Sequence, residues 1–142
     1  MISPEEFVER LCRLGADRGP RRFPRNPRDR EILMKSITLL LDSDFRYTEP
    51  EINAALGQWS ERVAPAIDCD HVTLRRLMVD YGHLERTPDG SRYRVGFPAR
   101  PLAFDLEVDE IDVAATIAAY RDNRERERAK RRPEPGGERT KK

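Results

Sequence analysis

The chain is 142 residues long with a mass of 16.5 kDa, close to the roughly 150 residues of one average domain, which excludes a large two-domain enzyme. Charged residues make up 37% and the apolar set only 37%, against about 25% charged in an ordinary globular chain. The core must therefore be small and part of the chain solvated. No run reaches the roughly 18 apolar residues of a membrane span, and residues 1–9 lack the basic-then-apolar layout of a secretory signal, so a cytoplasmic location is expected. Cys12 and Cys69 are the only cysteines and lie far apart. Free buried thiols, rather than a disulfide framework or zinc knuckle, are the expectation. The net charge is +1, but it is unevenly distributed. Residues 10–30 hold eight arginines against two acids, residues 42–70 two arginines against seven acids, and residues 121–142 ten bases against five acids. Two basic arms bracket a more acidic middle.

In chain order, Ser3, Pro4 and Glu6 read as an N-cap, a first-turn proline and the partner of a capping box. Phe7, Val8, Leu11 and Leu14 follow at helical spacing, and Gly15 is the expected stop. Residues 16–27, with three prolines and four arginines, predict an extended basic linker. A second helix is expected over 28–41, where Ile32, Leu33, Ile37, Leu40 and Leu41 give a wide apolar face. Thr48 and Glu51 predict a capping box for a third helix, whose stripe is Ile52, Ala55, Leu56 and Trp59. Residues 60–69 read as a loop after, at most, an extra helical turn. Asp70 caps a fourth helix running through Tyr81, and Gly82 stands where a left-handed cap would. Leu74, Leu77, Met78 and Tyr81 share one side of its wheel, leaving Val72, Arg75, Arg76, Val79 and Asp80 on the other. Residues 83–87 and 92–95 flank Pro88-Asp89-Gly90-Ser91, the strongest hairpin signal in the chain, with Leu84, Tyr93 and Val95 facing inward. An irregular connection leads into a final helix over 109–132, apolar at Ile111, Val113, Ile117 and Tyr120 and charged afterwards, with Asp122–Arg126 and Glu127–Arg131 pairs. Residues 133–142 are expected to be disordered.

Helix, helix, longer turn, helix and hairpin is the element order of a winged helix-turn-helix: a mainly α fold, here with extra N- and C-terminal helices. Three helices bury a small core and leave one side of the last free to enter a groove about 12 Å wide, while the hairpin becomes the wing. The implied organisation is an N-terminal helix over 1–15, a linker over 16–27, a winged-helix domain over 28–96, a connector and C-terminal helix over 97–132 and a tail over 133–142. The free side of the fourth helix presents Val72, Thr73, Arg75, Arg76 and Val79. Guanidinium forks suit guanine edges or phosphates, and valine methyls suit thymine methyls. Arg86, Arg92 and Arg94 on the wing suit phosphates or the neighbouring minor groove.

Three stretches carry a family resemblance: Tyr47-Thr48-Glu49-Pro50-Glu51-Ile52-Asn53, Leu74-Arg75-Arg76-Leu77-Met78-Val79-Asp80-Tyr81-Gly82-His83-Leu84-Glu85-Arg86 and Asp89-Gly90-Ser91-Arg92-Tyr93-Arg94-Val95. Residues 47–95 resemble bacterial domain-of-unknown-function family two thousand and eighty-seven, and the resemblance extends back to Phe23-Pro24 and the helix from Arg28. Its members resemble winged-helix transcription regulators, which implies nucleic-acid binding. The sequence departs from the family pattern between Gly57 and Asp70, so residues 58–69 are expected to be an insertion. The resemblance supplies no ligand, operator or catalytic residue.

Each sharp reading has a bland one beside it. An Arg-Arg pair is commonly a solvated helix face with local acid partners, and Glu49, Glu51, Asp68, Asp70 and Asp80 would repel phosphates if they shared its surface. Asp68-Cys69-Asp70-His71 places four metal-ligating types in a row, but adjacent residues cannot converge on one ion and Asp70 has a capping role. No metal, cofactor or catalytic residue is expected, because no acid/base pair or nucleophile stands out. The C-terminal helix either closes the core or pairs with its twin in a homodimer, as regulators reading two half-sites require. The expected partner is duplex DNA, read as a bacterial transcription regulator reads it by the helix over 71–81 and the wing over 83–95. The alternative is a winged-helix protein–protein interaction module whose Val72 and Val79 face packs on a protein partner without direct DNA binding.

Overall fold

The helices begin where side-chain oxygens meet the unpaired backbone N–H groups of a first turn. In the computed structural model, which describes residues 1–17, 19–98 and 102–131, Ser3 accepts from the Glu6 N–H and starts α1, Pro4–Gly15. Asn26 accepts from the Asp29 N–H and starts α2, Pro27–Thr38. Thr48 and Glu51 form the full reciprocal box of α3, Glu49–Gln58, and Asp70 accepts from the Thr73 N–H at the head of α4, His71–Asp80. The hairpin follows as β1, Leu84–Arg86, and β2, Tyr93–Val95, antiparallel in the register Leu84 to Val95, Glu85 to Arg94 and Arg86 to Tyr93. A 3-10 turn, Leu106–Glu110, precedes α5, Val113–Arg131. The architecture is mainly helical with one small hairpin, consistent with a winged helix. Among the described residues no helix is long and apolar enough to cross a membrane.

One core joins these elements: Phe7 and Leu11 of α1, Ile32, Leu33 and Ile37 of α2, Ile52 and Leu56 of α3, Leu74 and Met78 of α4, Leu84 and Tyr93 of the hairpin, and Val113 and Ile117 of α5. Trp59 is its largest fully buried side chain. Its indole N–H donates to Ser36 Oγ at 2.8 Å, and that hydroxyl donates to the Leu33 carbonyl at 2.6 Å. The one polar edge of the ring is thereby satisfied without water.

Several expectations change. The Glu6 carboxylate does not close the α1 capping box. It takes the Arg28 guanidinium in a fork, 2.7 and 2.8 Å, with Arg10 at 3.1 Å, because paired charge-assisted bonds outcompete a single amide donor. Gly15 is no left-handed cap. It is the last helical residue, and a Cβ there would lie 3.0 Å from the Ala64 Cβ, so it allows close packing. The second helix stops at Thr38 and the last begins at Val113 rather than Asp109, the intervening acids forming the 3-10 turn. Residues 132–142, including the expected tail, lie outside the described residues.

The two stretches read as loose are tied to each other. Residues 59–63 form a π-helical turn, Trp59–Val63, and Val63, Ala64, Ala66 and Ile67 are buried. The Arg21 N–H donates to the Ala66 carbonyl and the Asp68 N–H to the Arg21 carbonyl, each at 2.8 Å, while Phe23 packs against Trp59 with ring centroids 6.5 Å apart. The expected linker is thus an extended segment sewn onto the expected insertion. Part of the N-terminal basic arm is paired internally: Arg10, Arg13, Arg28 and Arg30 hold ion pairs with Glu6 and Asp29, Glu9, Glu6 and Glu31.

Candidate nucleic-acid interface

The inner face of α4 anchors it: Leu74 and Met78 are fully buried. The 3.6-residue period then sends Val72, Arg75, Arg76 and Val79 toward the hairpin side. The chain leaves α4 through Gly82 at φ 82°, a left-handed conformation that a glycine adopts without strain. That turn carries the backbone directly into β1.

Below the turn, a buried polar pair fixes the root of the wing. His83 Nε2 lies 2.8 Å from Glu31 Oε1, and Arg30 reaches the other Glu31 oxygen at 3.2 Å. Arg30 also stacks on the Tyr81 ring at 4.0 Å. Burial holds the His83 pKa below the ordinary imidazole value, against the opposing pull of Glu31. A neutral imidazole whose N–H donates to the carboxylate satisfies both groups.

A second tie stiffens the wing. Tyr47, in the segment between α2 and α3, forms an antiparallel bridge with Tyr93, with N–H···O distances of 2.7 and 2.8 Å in the two directions. The hairpin thus has a third backbone segment beside it, which two strands alone need for stability. No local pattern around Tyr47 signals this contact, because its partner lies 46 residues later.

Between α4 and the wing lies a groove of about 210 Å³ lined by Val72, Arg75, Arg76, Val79, Asp80, Arg86 and Tyr93. It gathers five of the eight residues singled out from sequence. Thr73, exposed, bonds back to Asp70 through its hydroxyl at 3.2 Å. Arg92 and Arg94 lie on the wing outside the groove. The two helix arginines differ sharply. Arg75 donates to the Asn53 side-chain oxygen of α3, lies 3.8 Å from Glu49 and sits over Tyr93 at 5.7 Å; its side chain is 15% exposed. Arg76 is exposed and has no hydrogen bond or ion pair among the described residues. Arg75 thus links α4 to α3, whereas Arg76 has no such partner among the described residues.

On the wing, Arg86 donates to the Gly90 carbonyl at 2.9 Å and covers the Tyr93 ring at 5.4 Å. Arg94 is paired with Glu85 at 2.8 Å, while Arg92 reaches only the Ser91 carbonyl, at 3.4 Å. The nearby acids have local work: Glu51 and Asp70 cap helices, and Glu49 faces Arg75. Asp80 remains on the rim of the groove. Hydrogen bonds from Thr73 hold the Asp70 carboxyl below its usual range, which suits a cap rather than a metal ligand. Among the described residues no group of three metal-ligating side chains converges.

The model of the family described as "Uncharacterized protein conserved in bacteria (DUF2087)" matches residues 21–95, more than half of the chain. The chain belongs to the DUF2087 family. The DUF2087 match opens at Arg21, the residue bridged to Ile67, and closes at Val95, the end of β2. It spans the whole groove and leaves α1 and α5 outside. No curated protein and no solved structure matches the chain.

Proposed function

We propose that this DUF2087 protein is a non-catalytic, winged-helix binder of duplex DNA that acts as a transcription regulator. The observation that carries the reading is the open groove beside the wing, where Arg76, unpaired among the described residues, stands between the exposed Val72 and the half-buried Val79. An unpaired guanidinium flanked by apolar groups matches a guanine edge next to thymine methyls. Arg86 and Arg92 on the wing suit contacts to phosphates. Arg75 acts here as a positioning residue, holding α4 against α3, and Arg94 is already neutralised by Glu85.

Fluorescence anisotropy of a labelled random duplex, titrated with the full chain at several salt concentrations, tests this. Log affinity should fall linearly with log salt, by about 0.9 for each phosphate neutralised. Arg76→Ala should weaken binding at every salt concentration. A flat salt response, or affinity unchanged by Arg76→Ala in a natively melting variant, refutes the proposal. Val79→Asp separates the protein-module alternative: loss of a protein partner with duplex affinity absent favours that module.

A further inference from the structure

The bridge between Tyr47 and Tyr93 does more than stiffen the wing. Successive side chains of an extended segment alternate between faces, so when Tyr47 and Tyr93 point inward, Arg46 and Arg92 are carried to the outer side. There they bound a concave space of about 320 Å³ with Thr87, Pro88, Asp89 and Ser91 of the wing turn. Both arginines are exposed, and Arg46 has no hydrogen bond or ion pair among the described residues. The single acid of this space is already engaged: one Asp89 oxygen accepts from the Thr87 hydroxyl at 2.7 Å, the Ser91 N–H at 3.0 Å and the Ser91 hydroxyl at 2.9 Å. Glu85 of β1 is held by Arg94 at 2.8 Å. With two guanidinium groups against one carboxylate, the space keeps a net positive charge, carried by two forks on adjacent backbone segments.

We infer that Arg46 and Arg92 form a phosphodiester clamp at the flank of the wing tip. This rests on the DNA-binding reading above and extends the footprint from α4 across the hairpin to the segment ahead of α3. Two planar guanidinium groups on separate, hydrogen-bonded segments can each present parallel N–H donors to non-bridging phosphate oxygens, which a single flexible side chain does less well. The occupant is the sugar–phosphate backbone running past the wing tip, since Arg92 of this space directly precedes Tyr93 of the groove in the chain.

The test uses the full chain and a labelled random duplex, with wild type, Arg46→Lys, Arg46→Ala, Arg92→Ala and the double alanine variant compared by anisotropy across a salt series. Each lost clamp residue should reduce the steepness of the log–log salt dependence by about 0.9, and the double variant by roughly twice that, with affinity falling at low salt. Arg46→Lys should keep the wild-type slope, since it retains the charge. Thermal melting of each variant establishes that the fold is intact, and both side chains are exposed enough to be replaced without loss of core. A double variant that binds with the wild-type slope overturns the clamp while leaving the DNA reading standing. A wild-type chain that shows no salt-dependent duplex binding overturns both.

Discussion

Replacing each of the two neighbouring helix arginines in turn should separate architecture from recognition. Arg75 is 15% exposed and bonded to Asn53, and a hydrogen bond from a charged donor contributes about 1.5–3 kcal/mol. The Glu49 carboxylate is 3.8 Å away and 57% exposed, so that pairing adds well under about 1 kcal/mol. The Tyr93 ring at 5.7 Å adds about 0.5 kcal/mol. Asn53 is only half-buried and regains water when its partner is removed, which brings the net cost of Arg75→Ala to about 1–2 kcal/mol. For a chain of this length that corresponds to a melting temperature lower by about 2–8 °C. Arg76→Ala removes no hydrogen bond or ion pair among the described residues and should leave the melting temperature within error of wild type. The order reverses in duplex binding, where Arg76→Ala should cost more than Arg75→Ala. Arg75→Lys should recover only part of the lost stability, since an ammonium cannot reproduce the fork between Asn53 and Glu49. Calorimetry and anisotropy on the same preparations provide both readouts. If Arg75→Ala melts with wild type while Arg76→Ala melts early, the division of labour between strut and reader is wrong.

The sewn segment and the buried histidine support two further tests. Phe23→Ala should cost about 2 kcal/mol in urea unfolding, roughly half the loss for a fully buried phenylalanine, because the ring is half-buried against Trp59; an unchanged midpoint would mean that the extended segment is not part of the cooperative unit. His83 has a folded-state pKa below its ordinary value of 6.5, so below that pH the unfolded chain binds more protons than the folded one. Stability from this group is therefore complete above about pH 6.5 and declines as pH falls below it toward the folded-state pKa. The urea midpoint should drop between pH 7 and pH 5 in wild type by more than in His83→Gln, and parallel profiles would contradict the assignment of a neutral buried imidazole.

The elements that were legible in the residues are those governed by neighbours three or four positions away. Ser3, Thr48 and Asp70 each bond the backbone N–H three residues on. The apolar stripes of α3 and α4 are set by the helical period, and the Pro88–Ser91 turn closes the hairpin between its expected strands. Sequence by itself therefore determined four helix starts near their observed positions, the wing, and the patch on which Val72, Arg76 and Val79 stand. Tertiary structure alone decided that Asn53 engages Arg75 and not Arg76, that Tyr47 joins the wing and brings Arg46 with it, and that Phe23, Val63, Ala64 and Ile67 pack with the core. The physical reason is reach. A guanidinium at the end of a long side chain bonds whatever acceptor the fold brings near, as Arg28 does with Glu6 and Arg75 with Asn53, both 22 residues away. An extended segment likewise hides its pairing until its partner strand is in place, because a backbone N–H carries no sequence-specific mark of the carbonyl that will accept from it.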